Sequence, residues 1–214
     1  MTILGLEFSS AQRSVALARD GRVLAGISET GGHGTPAFGL IEKVLVSAQI
    51  GREEIEVLAV GLGPGSYSGI RVALAIAQGW QLATGVKLLG ISSVEALAAR
   101  ARAEQMFGRM NVVVDAQRGE FYQAIFEVTP DRLVEIEPLK IVTAAVIDAR
   151  ARAGELLAGP ELTRWFPTGK NLFPSAATQV LLAEHRNDFL PGGRLAPIYL
   201  REANFLKIPA QKKL

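Results

Sequence analysis

Apolar runs near the start of the chain are short and separated by turn-forming residues, which predicts strands. Ile3 to Phe8 is the first, Ser14 to Arg19 the second and Arg22 to Ile27 the third. Asp20-Gly21 separates the last two; both residues tolerate the positive φ that a tight hairpin turn demands. A Gly-rich stretch, Gly31 to Gly34, precedes Thr35-Pro36, which reads as an N-cap followed by a proline in the first helical position. Ala37, Ile41, Val44, Leu45 and Ala48 then recur at helical spacing with Phe38 and Leu40 flanking them, and Gly51 is expected to stop that helix. Val57 to Gly61 reads as a strand, about Ser66 to Thr84 as a long helix, and Lys87 to Ile91 as a strand. Ser92-Ser93-Val94-Glu95 has the form of a capping box and predicts a helix to about Glu104.

The pattern then restarts. Asn111 to Asp115 is an apolar strand ending in a carboxylate, as Ile3 to Glu7 is. Glu120 to Val128 and Arg132 to Ile136 form a second hairpin around Thr129-Pro130-Asp131. Further on, Val142 to Leu157 reads as helix, Gly159 to Asn171 as strand and loop, Ser175 to His185 as helix, and Pro191 to Phe205 as an irregular approach to an extended end. Strand, loop and hairpin recur in the same order, which implies an internal duplication. Two β-β-β-α-β-α units make the α/β fold of the actin, sugar-kinase and Hsp70 superfamily (ribonuclease H-like). The expected division is a first lobe over residues 1–105 and a second, partly degenerate one over 106–214.

The segment Gly61-Leu62-Gly63-Pro64-Gly65-Ser66-Tyr67-Ser68-Gly69-Ile70-Arg71 joins a strand to a helix. Such a turn leaves backbone amides free at the helix start, where an anion or another chain can dock. A P-loop needs Gly-Lys-Ser/Thr at a fixed distance from its first glycine, and here Gly69 is followed by Ile70-Arg71. Gly69 lies one residue too far for G-x-G-x-x-G, and Pro64 has no amide to offer a phosphate. Gly63, Pro64, Gly65 and Gly69 are therefore read as shaping the loop. The helix after it carries no charge between Arg71 and Lys87. One face is Ile70, Leu74, Ala77 and Gln81; the opposite side is Val72, Ala75, Ile76, Gly79 and Ala83. Either the preceding helix covers the second face, or both helices together form a subunit interface. The interface reading collects His33, Phe38, Ile41 and Leu45 with Val72, Ala75, Ile76, Gly79 and Ala83.

Composition narrows the classes further. The 214 residues are 49% hydrophobic and 21% charged with a net charge of +2, a globular composition without a strong field toward nucleic acid or membrane. Basic residues cluster at Arg100, Arg102 and Arg109 and again at Lys207, Lys212 and Lys213, and read as solvated surface. There is no cysteine, which removes disulfides, thiolate metal sites and cysteine nucleophiles. Met1 to Phe8 lacks the basic start of a signal peptide, and Val72 to Val86 is too short and too polar to span a bilayer, so a cytoplasmic protein is expected. His33 and His185 are too far apart for a metal pair, and Ser66 and Ser68 lack the G-x-S-x-G setting. Glu7 and Asp115 could face each other across a cleft and hold Mg²⁺, but the preferred reading is that each caps its strand end. No catalytic, cofactor-binding or metal-binding residue is assigned.

Several segments together resemble one family. Gly63-Pro64-Gly65-Ser66-Tyr67-Ser68-Gly69-Ile70-Arg71 is similar to the G-P-G-S-F-T-G-[LVI]-R signature of the TsaB (YeaZ) family. Leu4-Gly5-Leu6-Glu7-Phe8-Ser9 resembles its L-x-I-D-T-S, Gly90 to Ala98 its G-V-S-S-L-E-A-L-A, Asp115 to Tyr122 its D-A-R-R-G-E-V-Y, and Ala196 to Arg201 its A-x-P-x-Y-L-R. The resemblance implies a non-catalytic scaffold in the complex that makes threonylcarbamoyladenosine beside the tRNA anticodon. It implies pairing with the homologous catalytic subunit TsaD through helices of the first lobe, with the ATPase TsaE joining and tRNA reached through the complex. ATP or ADP and metal then belong to the partner complex, and no cofactor to this chain; self-dimerisation of the isolated chain is left open. The rival reading is a self-sufficient ATP-dependent phosphotransferase or ATPase of the same superfamily. Two departures stand out: Glu7-Phe8 replaces Asp-Thr, which weakens a nucleotide role, and His33-Gly34-Thr35-Pro36-Ala37-Phe38 departs from the family's H-S-x-x-L-L-P ahead of the first helix.

Overall fold

The computed structural model describes residues 1–31 and 36–200. The first half runs β1 (Thr2–Glu7), β2 (Gln12–Arg19), β3 (Arg22–Thr30), α1 (Ala37–Ala48), β4 (Val57–Gly61), α2 (Tyr67–Thr84), β5 (Lys87–Ile91) and α3 (Ser93–Ala103). The second half runs β6 (Gly108–Asp115), β7 (Glu120–Val128), β8 (Leu133–Thr143), α4 (Ala144–Arg152), β9 (Leu156–Gly159), β10 (Lys170–Asn171) and α5 (Ala176–Ala183). The first sheet is ordered β3-β2-β1-β4-β5 and the second β10-β9-β6-β7-β8, so the two have matching connectivity. In each, the first three strands form an antiparallel meander and the last two add in parallel. The repeat is therefore real: this is a duplicated, two-lobed actin-like fold.

Alternation along the strands decides which helix covers which face. Leu4 and Leu6 of β1 pack with Leu40, Ile41, Val44 and Leu45 of α1 and Ile70, Ala73, Leu74 and Ala77 of α2. Ile3, on the other face, packs with Ala176, Val180 and Ala183 of α5. In the second sheet, Val112 and Val114 meet α3, while Val113 meets Ile147 of α4. The last helix of each repeat thus covers the sheet of the other repeat. α3 and α5 also touch one another, and together they form the layer between the sheets.

Local differences from the sequence reading have physical causes. The Asp20-Gly21 turn forms with φ of 49° and 73°. Helix α1 begins at Ala37 with Pro36 as the N-cap, and Thr35 lies outside the described residues. It ends at Gln49, which takes the left-handed conformation at φ 56°, so Gly51 is not its stop. Gly51 instead precedes a 3-10 turn, Arg52–Glu54, and donates its amide to Glu54 Oε1 at 2.9 Å. The helix expected over Val142 to Leu157 is shorter, because its first residues complete β8: Phe121 pairs with Val142 and Glu120 with Thr143. Its last residues, from Leu156, form β9. The capping box at Ser92 does not form. Ser92 makes no side-chain cap, and Glu95 pairs with Arg186 at 3.4 Å.

Candidate protein-docking site

Helix α2 is set by the Gly-rich turn before it. Ser66 is its N-cap, accepting from the Gly69 amide at 3.3 Å, and Gly85 closes it at φ 75°. The turn lies directly on the β1–β2 connection: the Ser66 amide donates to Ser9 O at 2.6 Å. A Cβ on Gly69 would sit 2.0 Å from Phe8 O, so only glycine permits this approach. The Ser66 amide, which a phosphate cradle would need, is occupied by the chain itself.

The buried stripe of α2 is Ile70, Ala73, Leu74 and Ala77. Val72, Ala75, Gly79 and Ala83 are exposed and Ile76 is half-buried. Helix α1 does not cover this side; it rests on β2 and β3, and α2 on β4 and β5. Between the helices lies a groove of about 350 Å³ lined by Phe38, Ile41, Ala75, Ile76, Gly79 and Ala83, together with Arg52, Trp80 and Thr84. Among the described residues, a Cβ added to Gly79 meets nothing within 4 Å, so they leave the groove open there. Phe38 is 71% exposed at its rim, and Leu82 is 89% exposed on the same helix as Gly79.

The structure brings six of the nine expected interface residues to this groove. Ile41 contributes to its wall but is only 3% exposed, and Leu45 is 6% exposed. Both are core residues, because the Leu40-Ile41-Val44-Leu45 stripe is what seats α1 on the sheet. Val72 is exposed on α2 outside the groove. His33 lies outside the described residues. Trp80, Arg52 and Thr84 were missed. Trp80 stands one helical turn after Ile76, a signal present in the spacing, whereas Arg52 arrives from the 3-10 turn after α1 and has no local signal.

A second concavity, about 610 Å³, opens between the sheets and is lined by Ser9, Gly65, Ser66, Asp115, Gln117, Tyr122 and Trp165, among others. Among the described residues, Asp115 and Glu161 are the carboxylates that line it, and Glu161 lies 3.7 Å from Arg164. Asp115 accepts from Gln117 through the backbone amide at 2.7 Å and the side-chain amide at 3.0 Å. Glu7 does not reach the cleft. It is fully buried; Oε1 accepts from the Ser9 amide at 2.7 Å, and Oε2 from Ser93 Oγ at 3.0 Å and from Gln179 Nε2. Loss of solvent raises its carboxyl above the usual value, against the opposing pull of the hydrogen bonds from Ser9 and Ser93. The Phe8 ring is buried in the first core. Among the described residues, no three His, Cys, Asp or Glu side chains group as metal ligands. Also among them, no helix is long and apolar enough to cross a membrane.

Known proteins share this architecture. A family model described as TsaD, tRNA N6-adenosine threonylcarbamoyltransferase, matches residues 32–201. The tRNA threonylcarbamoyladenosine biosynthesis protein TsaB of Escherichia coli is 30% identical over 128 residues, 59% of this chain and 55% of that protein. TsaB of Bacillus subtilis is 26% identical over 140 residues, 64% of this chain and 60% of that protein. The chain thus spans somewhat over half the length of these curated relatives. The solved structure of YeaZ from Pseudomonas aeruginosa superposes with a TM-score of 0.80 at 25% identity, covering 93% of this chain and 99% of that one.

Proposed function

The chain belongs to the TsaB (YeaZ) family, within the wider family described as tRNA N6-adenosine threonylcarbamoyltransferase, and from that premise we propose that it is a non-catalytic scaffold in making threonylcarbamoyladenosine on tRNA. Its partner in this reading is a TsaD-type catalytic subunit, which lays a helix into the α1–α2 groove and is held in an active state by it. The ATPase TsaE joins that pair, and tRNA is reached through the assembly. Nucleotide and metal belong to the partner complex, which works in the cytoplasm. The docking helices belong to a first lobe, residues 1–105, and residues 106–214 make the second.

The observation that carries this reading is the open groove between α1 and α2. Ala75, Gly79 and Ala83 lie four residues apart on one row of α2, and such a row of small side chains lets a second helix approach closely. The engaged Glu7 and Asp115 carboxylates favour the scaffold over a self-sufficient ATPase. The test is co-purification with the TsaD-type subunit, with and without ATP and tRNA. A stable complex with threonylcarbamoyl transfer only when both subunits are present is the expected result. Robust ATP hydrolysis or sugar phosphorylation by the purified chain alone would overturn the scaffold reading. A self-dimer that the catalytic subunit cannot compete apart would make the groove a homodimer interface instead.

A further inference from the structure

A chain of hydrogen bonds runs from the buried Glu7 carboxylate to the turn that launches α2. Ser93, the first residue of α3, stands in the middle of it. Its Oγ donates to Glu7 Oε2 at 3.0 Å and accepts from the Gly63 amide at 3.2 Å. Its own amide donates to Gly63 O at 2.9 Å. Ser93 therefore grips both polar groups of the Gly63 backbone, four residues ahead of the first residue of α2. The strand leading into the turn is pressed against the same carboxylate: a Cβ on Gly61 would lie 2.3 Å from Glu7 Oε2.

The hydroxyl geometry explains why an acid is needed. Serine has one hydroxyl proton and lone pairs to spare. The Gly63 amide can only donate, so a Ser93 lone pair faces it, and the hydroxyl proton is left to turn toward Glu7 Oε2. A glutamine oxygen in the Oε2 place could accept from Ser93 and Gln179, but its NH₂ would then face the Ser9 amide, donor against donor. An aspartate, one methylene shorter, would not reach Ser93 and Gln179 while keeping the Ser9 bond. We infer that Glu7 and Ser93 are positioning residues: the buried acid orients the serine, and the serine fixes where the Gly-rich turn enters α2 and so the attitude of the docking face. The inference rests on the docking role of α2 proposed above.

The two arms of Glu7 provide the test. Ser93→Ala removes the arm to Gly63, whereas Gln179→Met removes the arm to α5 and leaves the serine in place. Each deletes one hydrogen bond to the same buried carboxylate, so each is expected to lower the melting temperature. Hydrogen–deuterium exchange on the isolated protein separates them. Ser93→Ala should accelerate exchange selectively at residues 63–70, by tenfold or more, and Gln179→Met should leave that segment no faster than the rest of the molecule. Affinity for the TsaD-type subunit should fall about tenfold in Ser93→Ala and change less than twofold in Gln179→Met. Equal exchange over 63–70 in the two variants would overturn the positioning role. Selective exchange without a selective loss of affinity would uphold it and refute the docking role of α2. Should Ser93→Ala fail to fold, Ser93→Cys, which keeps the volume and weakens both bonds, is read in the same way.

Discussion

Replacing Gly79 by leucine separates stability from docking, because the two should move in opposite directions. Gly79 lies in the body of α2 and is exposed, and a Cβ there meets nothing within 4 Å among the described residues. The new side chain therefore enters open space in the isolated protein. Removing a glycine from a helix interior stabilises by about 0.5–1 kcal/mol. For a chain of this size that is a rise of roughly 1–4 °C in Tm.

The bound state reverses the sign. Gly79 is the middle of the small-residue row, and a leucine there fills the space a partner helix would occupy. Overpacking an interface of that kind costs about 1–3 kcal/mol, or roughly 5- to 150-fold in affinity. Thermal melts of the isolated protein and calorimetric titration with the TsaD-type subunit measure the two effects on one preparation. A variant that melts higher and binds more weakly is the expected outcome. Unchanged affinity refutes the groove as the docking site, and a lowered Tm refutes the open position of Gly79.

Other substitutions probe the same geometry. Phe38→Ala, at an exposed rim position, should weaken the complex while shifting stability by less than about 0.5 kcal/mol, read by the same titration and melts. Trp80→Ala should lose both, because the ring lines the groove and also packs on the first core; about 1–3 kcal/mol of stability is expected for a half-buried ring, checked by urea unfolding. Gly69→Ala forces a methyl to within 2.0 Å of Phe8 O and should destabilise by more than about 2 kcal/mol by the same assay. Burial holds the Glu7 carboxyl above its usual 4.5, so the folded state keeps a proton that the unfolded chain has released, and this contribution is full below about pH 4.5 and declines as pH rises through the folded value. The stability–pH profile of Glu7→Gln should lack that decline, and a profile parallel to that of the unsubstituted protein would contradict it.

Much of the fold was legible because strands, hairpin turns and amphipathic helices each leave local marks. Asp20-Gly21 announced its turn, and the restart at Asn111 announced the duplication. The two faces of α2 were also legible: Ile70, Leu74 and Ala77 are buried, while Ala75, Gly79 and Ala83 are exposed. The errors came where local marks admit two tertiary answers. The interface reading took Ile41 and Leu45 from the helical-spacing face together with the flanking Phe38, but the Leu40-Ile41-Val44-Leu45 stripe seats the helix and is core, and Phe38, off that stripe, is the one left exposed. Val142 and Thr143 read as the start of a helix, and only their pairing with β7 makes them strand. Ser93 looked like part of a local cap because its long-range partner, Glu7, is 86 residues away.

The two repeats now serve as controls for one another. In each, the carboxylate ending the first strand accepts the amide two residues on at 2.7 Å, so the strand-end turn is common to both copies. Beyond that bond the copies diverge. Asp115 lines the inter-sheet cleft and takes its further bond from its neighbour Gln117, whereas Glu7 is sealed by Ser93 of α3 and Gln179 of α5. The segment matching α2 in the second copy is reduced to the 3-10 turn Leu162–Arg164, and the strand after it to two residues. The copy with the sealed carboxylate is thus the copy that retains the long helix. A carboxylate free to meet solvent would leave the Gly63 backbone gripped by a serine with no fixed orientation. Sealing it couples the acid to the helix start, which suits a lobe that presents a rigid surface to another protein rather than one that closes on a ligand.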